Sequence, residues 1–202
     1  MGLGLITASA MGATVFEENF DKVAGADLPE SLMLLDGQFR VVKEDGNGLL
    51  ELPGSPLESY GLLFGSAAVS GREVQARIHG TKVGRKFPTF AAGLNGVNGY
   101  KIRVSPAKNA VELVVGNDFE VRATAPYKWA SGEWVRLRLQ VVPAGNGVSV
   151  RAKVWQDAAE PEAWTLTYDS PTAPPPGMAG VWGMPFSGTA IRFDDLKVSS
   201  VP

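Results

Sequence analysis

Cysteine is absent from the 202-residue chain, and histidine occurs once, at position 79. The first absence excludes disulfides, thiol catalysis and thiolate metal sites, and a lone histidine without credible acid and nucleophile partners argues against a catalytic triad. Basic residues are not in excess, since the formal net charge is -2, and we therefore expect no nucleic-acid partner. Beyond the start of the chain no apolar run is long enough to span a bilayer, so no membrane insertion is expected.

The start of the chain is apolar and built from small residues. Gly2 to Ala13 is typical of the apolar region and cleavage end of a secretory signal. No Lys or Arg precedes this stretch, so an apolar first strand is the alternative interpretation. We expect a signal-peptide remnant over residues 1–13 and a single domain over residues 14–202, exported to the periplasm or the extracellular space.

Apolar and polar residues alternate along much of the chain, as in strands that cover a core with one face. The apolar positions of four such runs are Val74, Ala76 and Ile78; Phe119, Val121 and Ala123; Val135, Leu137, Leu139 and Val141; and Val148, Val150, Ala152 and Val154. The chain also has 24 glycines, and Gly145-Asn146-Gly147 between two of the runs predicts a hairpin. About a dozen strands are expected, which predicts an all-β, two-sheet antiparallel jelly-roll β-sandwich.

Several short motifs resemble the concanavalin A-like lectin/glucanase superfamily. Phe16 to Asp21 is similar to its acidic-aromatic entry strand, and Ser131 to Leu137 with Val148 to Trp155 is similar to its paired central strands. Gly177 to Val181 and Phe193 to Val198 resemble its closing strands. Within the superfamily, laminin-G-like domains and 3-keto-disaccharide hydrolases are both similar. The resemblance implies a concanavalin A-like sandwich that recognises an oligo- or polysaccharide on a concave sheet face.

Carboxylates decide whether catalysis is expected. Laminarinase-type members carry Glu-x-Asp-x-x-Glu on one strand, and retaining hydrolysis needs two carboxyl groups ~5 Å apart. This chain lacks that run: Asp118 belongs to a turn, and Asp157, Glu160 and Glu162 fall in a proline-containing loop where we expect them to be solvated. We therefore expect non-catalytic glycan binding. A glycoside hydrolase, a polysaccharide lyase or a structural domain is the alternative.

His79 offers the lyase alternative. It shares a strand face with Gln75 and Arg77, and neighbouring strands could add Lys101 and Arg103. Cations of this kind would neutralise a uronate carboxylate while His79 removes a proton. The other interpretation is that alternation simply places polar residues on the solvated faces of two strands.

Basic residues recur in the polar phase of several strands. If they share one concave sheet they favour an anionic glycan, and if they divide between two sheets they are ordinary surface; we expect the division, because both sheets of a sandwich have an outer face. These residues are Arg77, Lys101, Arg103, Arg122, Arg136, Arg138, Arg151 and Lys153.

Tryptophan provides rings on which a sugar can stack. We expect Trp129, Trp155 and Trp182 to be stacking platforms, joined in the binding site by His79, Arg77 and Arg103. Trp134 and Trp164 are expected to pack in the core or at a sheet edge.

The resemblance also implies a structural calcium site. Asp194 matches by its position the aspartate of the closing strand that helps to hold the ion in laminarinase-like relatives, and Glu18 (or Glu17) of the entry strand would lie near it. Calcium takes six to eight oxygen ligands, many of them backbone carbonyls. Without the ion, Asp194 is expected to cap a turn or to accept hydrogen bonds.

Overall fold

The computed structural model describes residues 12–55, 58–156 and 159–201, which form two antiparallel sheets packed face to face. In chain order the strands are β1 (Thr14–Glu18), β2 (Leu32–Asp36), β3 (Arg40–Glu44), β4 (Asn47–Leu52), β5 (Tyr60–Ala68), β6 (Arg72–His79), β7 (Thr89–Leu94), β8 (Tyr100–Ser105), β9 (Ala110–Val115), β10 (Glu120–Pro126), β11 (Trp134–Ala144), β12 (Gly147–Trp155), β13 (Leu166–Ser170), β14 (Gly177–Met184) and β15 (Ile191–Ser200). A single 3₁₀ turn, Pro106–Lys108, joins β8 to β9 within these ranges.

The chain crosses repeatedly between the two sheets. The seven-stranded sheet has the order β10-β9-β8-β7-β14-β5-β2. The eight-stranded sheet has the order β13-β12-β11-β6-β15-β4-β3, with β1 paired to the second half of β15. Because β5, β6 and β7 alternate between sheets, strands that are consecutive in sequence need not be neighbours. The predicted all-β, two-sheet jelly-roll sandwich is confirmed.

The core lies between the sheets and is built from the predicted apolar phases. Val74, Ile78, Val135 and Val150 are fully or almost fully buried, with Ile102 opposite them in the other sheet. The polar residues that alternate with them face outward, so each sheet has a solvent-side face of its own.

Two turn regions test the local predictions. The hairpin at Gly145-Asn146 is confirmed, since Ala144 pairs with Gly147 across it. The alternation assigned to β10 is wrong at Val121, which is 44% exposed. The pairing of β10 with β9 shifts between Val121 and Ala123, and such a bulge changes which face the following side chains take.

A second irregularity lies in β15. Its pairing with β6 shifts between Asp194 and Lys197, and Asp195 adopts a left-handed backbone with φ of 49°. The backbone N–H of Asp195 donates to Asp194 Oδ1 at 2.7 Å. The bulge thus brings two consecutive carboxylates to the same neighbour, Arg77 of β6.

The predicted leader falls largely on residues 1–11, outside the described ranges. Ala13 joins the fold, because its carbonyl accepts a hydrogen bond from the backbone N–H of Ser200 at 2.9 Å. Within the described ranges no helix has the length and apolar character needed to cross a membrane.

Candidate functional site

The fold divides the six predicted binding residues among three places. Arg77, His79 and Trp155 lie on the outer face of the eight-stranded sheet, and Arg103 and Trp182 lie on the outer face of the seven-stranded sheet. Trp129 is only 9% exposed and packs edge-on against Phe90 of the core, with ring centroids 6.4 Å apart. The expectation of an exposed platform at Trp129 is therefore corrected.

The predicted cluster of His79 with Lys101 and Arg103 does not form. Lys101 and Arg103 belong to β8 in the seven-stranded sheet, whereas His79 of β6 has Trp134 and Arg192 as its register partners. His79 Nε2 lies 3.1 Å from the Gly132 carbonyl. Burial lowers the pKa of His79 below its usual value, with the Gly132 contact acting in the opposite direction.

The outer face of the eight-stranded sheet is organised in rows across the strands. In one row Lys153, Arg138, Gln75 and Lys197 stand side by side on β12, β11, β6 and β15. The next row is Arg151, Gln140, Glu73 and Ser199. Neighbouring strands are ~4.8 Å apart, so each row presents a polar group at every strand.

A groove of about 490 Å³ runs over these two rows. We call it the Trp164 groove. It is lined by Gly12, Thr14, Glu73, Gln75, Arg138, Gln140, Lys153, Glu162, Trp164, Lys197, Ser199 and Val201. None of the six predicted binding residues lines it, although three of them share its sheet face.

The floor of the groove is formed by two glutamine side chains that both donate to Glu73. Glu73 is 6% exposed, and its two carboxylate oxygens accept the side-chain amides of Gln75 and Gln140, each at 2.5 Å. Because one N–H of each amide donates to Glu73, the orientation of both side-chain amides is set. Both carbonyl oxygens are thereby left as acceptors for a ligand.

One wall of the groove is aromatic and held by ion pairs. Lys153 Nζ lies 4.8 Å from the Trp164 ring centroid and donates to Glu160 Oε1 at 2.8 Å. Arg138 also donates to Glu160, at 2.8 Å. The expectation that Glu160 is solvated is wrong, and Trp164 is a half-buried groove wall. Asp157 lies outside the described residues.

A second aromatic surface continues the same face. Trp134 lies beside His79, with ring centroids 5.3 Å apart, and the Arg77 guanidinium is 4.5 Å from the Trp134 ring centroid. Trp155 pairs in register with Arg136 on the adjacent strand. Trp134 is therefore a surface residue, contrary to expectation, and alternation alone contained the signal, because it precedes the buried Val135.

Asp194 accepts hydrogen bonds, as expected for the metal-free interpretation. Its Oδ2 accepts from Arg77 and from Asn47, and its Oδ1 accepts from the backbone of Asp195. Burial raises the pKa of Asp195, and the Asp194 charge adds to that effect. The three donors to Asp194 use most of the roughly four lone-pair directions of its carboxylate.

Glu18, the other predicted calcium ligand, is engaged in its own turn. Its Oε1 accepts the backbone N–H of Phe20 at 2.7 Å. Glu18 lines a separate hollow of about 740 Å³ together with Glu17, Asp27 and Asp195. Among the described residues no group of three or more His, Cys, Asp or Glu side chains is arranged to hold a metal, and the calcium role of Asp194 and Glu18 stays a prediction.

The outer face of the seven-stranded sheet is closed. Trp182 is 5% exposed and lies over three glycines: a Cβ built on Gly61, Gly93 or Gly180 would meet its ring within 3.0 Å. Lys101 Nζ lies 4.7 Å from the Trp182 ring centroid. The ring is thus packed between glycine backbone and a lysine, and does not form the open platform that we expected.

The charges on this face are also committed. Lys101 is 1% exposed and donates to the carbonyls of Val97 and Gly116; burial lowers its pKa to about 8. Arg103 donates from two nitrogens to Glu112 Oε2. Burial alone would raise the pKa of Glu112, but hydrogen bonds from Lys108, Ser105 and Arg103 hold it at about 2.

Comparison with family models and with curated proteins gave no match. Solved structures with the same sandwich are numerous. The carbohydrate-binding module CBM66 from Bacillus subtilis is 12% identical, with a TM-score of 0.61 over 84% of this chain and 96% of the module. The metal-free carbohydrate recognition domain of Emp46p is 12% identical, with a TM-score of 0.62 over 94% of this chain and 96% of the domain.

A glycoside hydrolase family protein from Mycobacterium thermorestibile is similar to the same degree. It is 14% identical, with a TM-score of 0.59 over 91% of this chain and 99% of its own. At these identities the similarity is one of fold, and it confirms the concanavalin A-like sandwich that the sequence motifs predict.

Proposed function

We propose that this protein binds a glycan in the Trp164 groove. The observation that carries the proposal is an open groove of about 490 Å³ in which an indole wall adjoins a floor of oriented side-chain amides. A pyranose presents apolar C–H faces and peripheral hydroxyls, and it needs both an aromatic surface and directed polar groups. The Trp164 groove supplies both, whereas Trp182 is packed beneath other groups.

The shape of the groove fits an extended ligand. It reaches from Lys153 on β12 across β11, β6 and β15 to Thr14 on β1. A sugar chain lying across the strands would meet a fresh polar side chain at each strand, ~4.8 Å from the last. Trp155, Arg77 and His79 share this sheet face, and they extend the proposed binding surface beyond the groove.

The solved structures of similar fold support a carbohydrate ligand. Their names describe a carbohydrate-binding module, a carbohydrate recognition domain and a glycoside hydrolase. Binding without hydrolysis is the function proposed here, because Glu73 and Glu160 both act as acceptors for paired cations and amides. The apolar, small-residue start of the chain supports export as the setting for that function.

Trp164→Ala tests the proposal. Stacking on an indole contributes ~1.4 kcal/mol or more, so we expect at least a ~10-fold rise in Kd for the best-bound glycan of an array, measured by calorimetry. Trp182→Phe, on the closed face, is the matched control and should leave Kd unchanged. Loss of binding in the control but not in Trp164→Ala would place the site on the other sheet.

Product release separates binding from catalysis. Incubation with the bound polysaccharide should release neither reducing ends nor unsaturated uronates. Release of saturated products with new reducing ends that disappears in Glu73→Gln would instead establish the hydrolase alternative, and release of unsaturated uronates would establish the lyase alternative.

A further inference from the structure

We infer that the Trp164 groove selects an uncharged glycan and discriminates against uronic-acid and sulfated chains. The inference rests on the proposed function and specifies its ligand class. It bears on the many Arg and Lys residues of the strand faces, which would favour an anionic partner if they were unpaired on one sheet face. The structure shows what each of these cations contacts.

The two cations at the Trp164 end are already neutralised. Arg138 lies 2.8 Å from Glu160 and 3.4 Å from Glu73, and Lys153 lies 2.8 Å from Glu160. Lys153 also donates to the carbonyl of Pro161 at 2.7 Å. An incoming carboxylate or sulfate would have to displace a protein carboxylate from each cation, and would then leave that carboxylate unpaired.

The far end of the groove carries the same balance. Lys197 has Glu17 within 3.9 Å. Glu162, two residues before Trp164 in the chain, lines the groove as an exposed carboxylate. Counting partners and row neighbours as well as lining residues, four cations face four carboxylates in and around the groove: Arg138, Lys153, Lys197 and Arg151 against Glu73, Glu160, Glu17 and Glu162. Among the described residues Arg151 is the one of these cations without an ion pair, and it does not line the groove. A negatively charged sugar in the groove therefore meets lining cations that are already paired and the unpaired carboxylate of Glu162.

The floor favours hydroxyl donors. Glu73 holds the amide nitrogens of Gln75 and Gln140, which leaves two carbonyl oxygens as acceptors. Each amide also keeps a second N–H. A sugar hydroxyl can donate to the oxygen and accept from the nitrogen, whereas a carboxylate or sulfate can only accept from the nitrogen. Glu73 is thus a positioning residue: it sets both amides in the orientation that suits a neutral sugar.

The test compares neutral and anionic oligosaccharides of equal length at two salt concentrations. The neutral probes are the cello-, xylo-, manno- and laminari- hexasaccharides; the anionic probes are hexasaccharides from alginate, polygalacturonate and heparin. We expect a neutral probe to bind at least tenfold more tightly than any anionic one. Its Kd should change less than twofold between about 0.01 M and about 0.1 M salt, since no ion pair forms on binding.

Three results have distinct meanings. An anionic probe that binds most tightly and weakens with salt overturns the inference and leaves glycan binding intact. Absence of binding to every probe and to the full array overturns the proposed function, and the inference with it. A neutral preference with a flat salt dependence supports both.

Charge variants sharpen the test. Glu160→Gln removes the carboxylate partner of Lys153 and the nearer of the two partners of Arg138. It should improve the binding of the anionic probes about tenfold and make that binding salt-dependent. Glu73→Gln, which removes the more distant partner of Arg138 and loosens both glutamines, should in addition weaken the binding of the neutral probe. Glu120→Gln, which frees an exposed arginine on the other sheet, is the matched control and should change neither. Unaltered selectivity in both groove variants would contradict the charge argument.

Discussion

The two outer faces of the sandwich use the same residue types for different purposes. Each has a tryptophan beside a lysine, at 4.8 Å for Trp164 and Lys153 and at 4.7 Å for Trp182 and Lys101. On the eight-stranded sheet the pair borders an open groove, because it stands beside a floor of long polar side chains. On the seven-stranded sheet the indole lies over glycines and is covered.

The difference lies in what surrounds each tryptophan and not in the pair itself. Phe119, at the turn before β10, packs with Leu63 and Ala91 into a small apolar cluster around Trp182. Arg103 nearby is held by the buried Glu112. The closed face therefore contributes to the stability of the fold, whereas the open face is available to a ligand. Mutations on the two faces should separate stability from binding.

Glu112→Gln should give the largest effect on stability. Glu112 is 3% exposed and pairs with Arg103, whose side chain is 13% exposed. Removing one partner of a buried ion pair leaves the other uncompensated, so the free energy of unfolding should fall by about 3–5 kcal/mol in urea titrations. Glycan affinity should remain at the wild-type value.

Glu120→Gln is the comparison variant for this prediction. Its pair with Arg122 is exposed, and such pairs contribute ~0–1 kcal/mol. An equal loss of stability in the two variants would show that the buried network of the closed face has no special role.

The carboxylate of Glu112 should also make the stability of the fold depend on pH in the acid range. The pKa of Glu112 is about 2 in the folded protein, against 4.5 for an unperturbed glutamate. Between these two values the folded state therefore binds fewer protons than the unfolded state. Its stabilisation, about 3 kcal/mol, is complete above pH 4.5 and is lost as the pH falls through 2. Between pH 4.5 and pH 2, the free energy of unfolding measured in urea should fall more steeply for the wild type than for Glu112→Gln. Parallel pH profiles would contradict the assignment of this stabilisation to Glu112.

The faces of individual strands were predictable from sequence. The period-two pattern placed Val74, Ala76 and Ile78 inward, and the same pattern placed Gln75 and Arg77 outward, where the structure has them. Alternation depends only on neighbours along the chain, and it therefore survives any arrangement of strands.

The membership of each strand in a sheet was not predictable in this way. His79 and Arg103 have the same polar phase, yet β6 and β8 lie in different layers. Bulges are a second limit, because one extra residue moved Val121 to the surface. The Trp164 groove depends on sheet membership: of the five strands that line it, only β11 and β12 are consecutive in sequence. Its floor forms because Glu73 accepts the amides of both Gln75 and Gln140.

Gly61→Ala should give a smaller loss of stability than Glu112→Gln, and it tests whether Trp182 packs on the closed face as described. A Cβ at this position would lie 2.6 Å from Cδ1 and Nε1 of Trp182, so the ring or the strand must shift. We expect a loss of about 1–3 kcal/mol in the free energy of unfolding, as for other overpacked sites. If the cost arises from the indole, it should largely disappear in a Trp182→Leu background, and the cycle should give a coupling of ~1 kcal/mol or more. Additive effects would mean that Gly61 is required for a reason other than the ring above it, and a change in glycan affinity would link the closed face to binding after all.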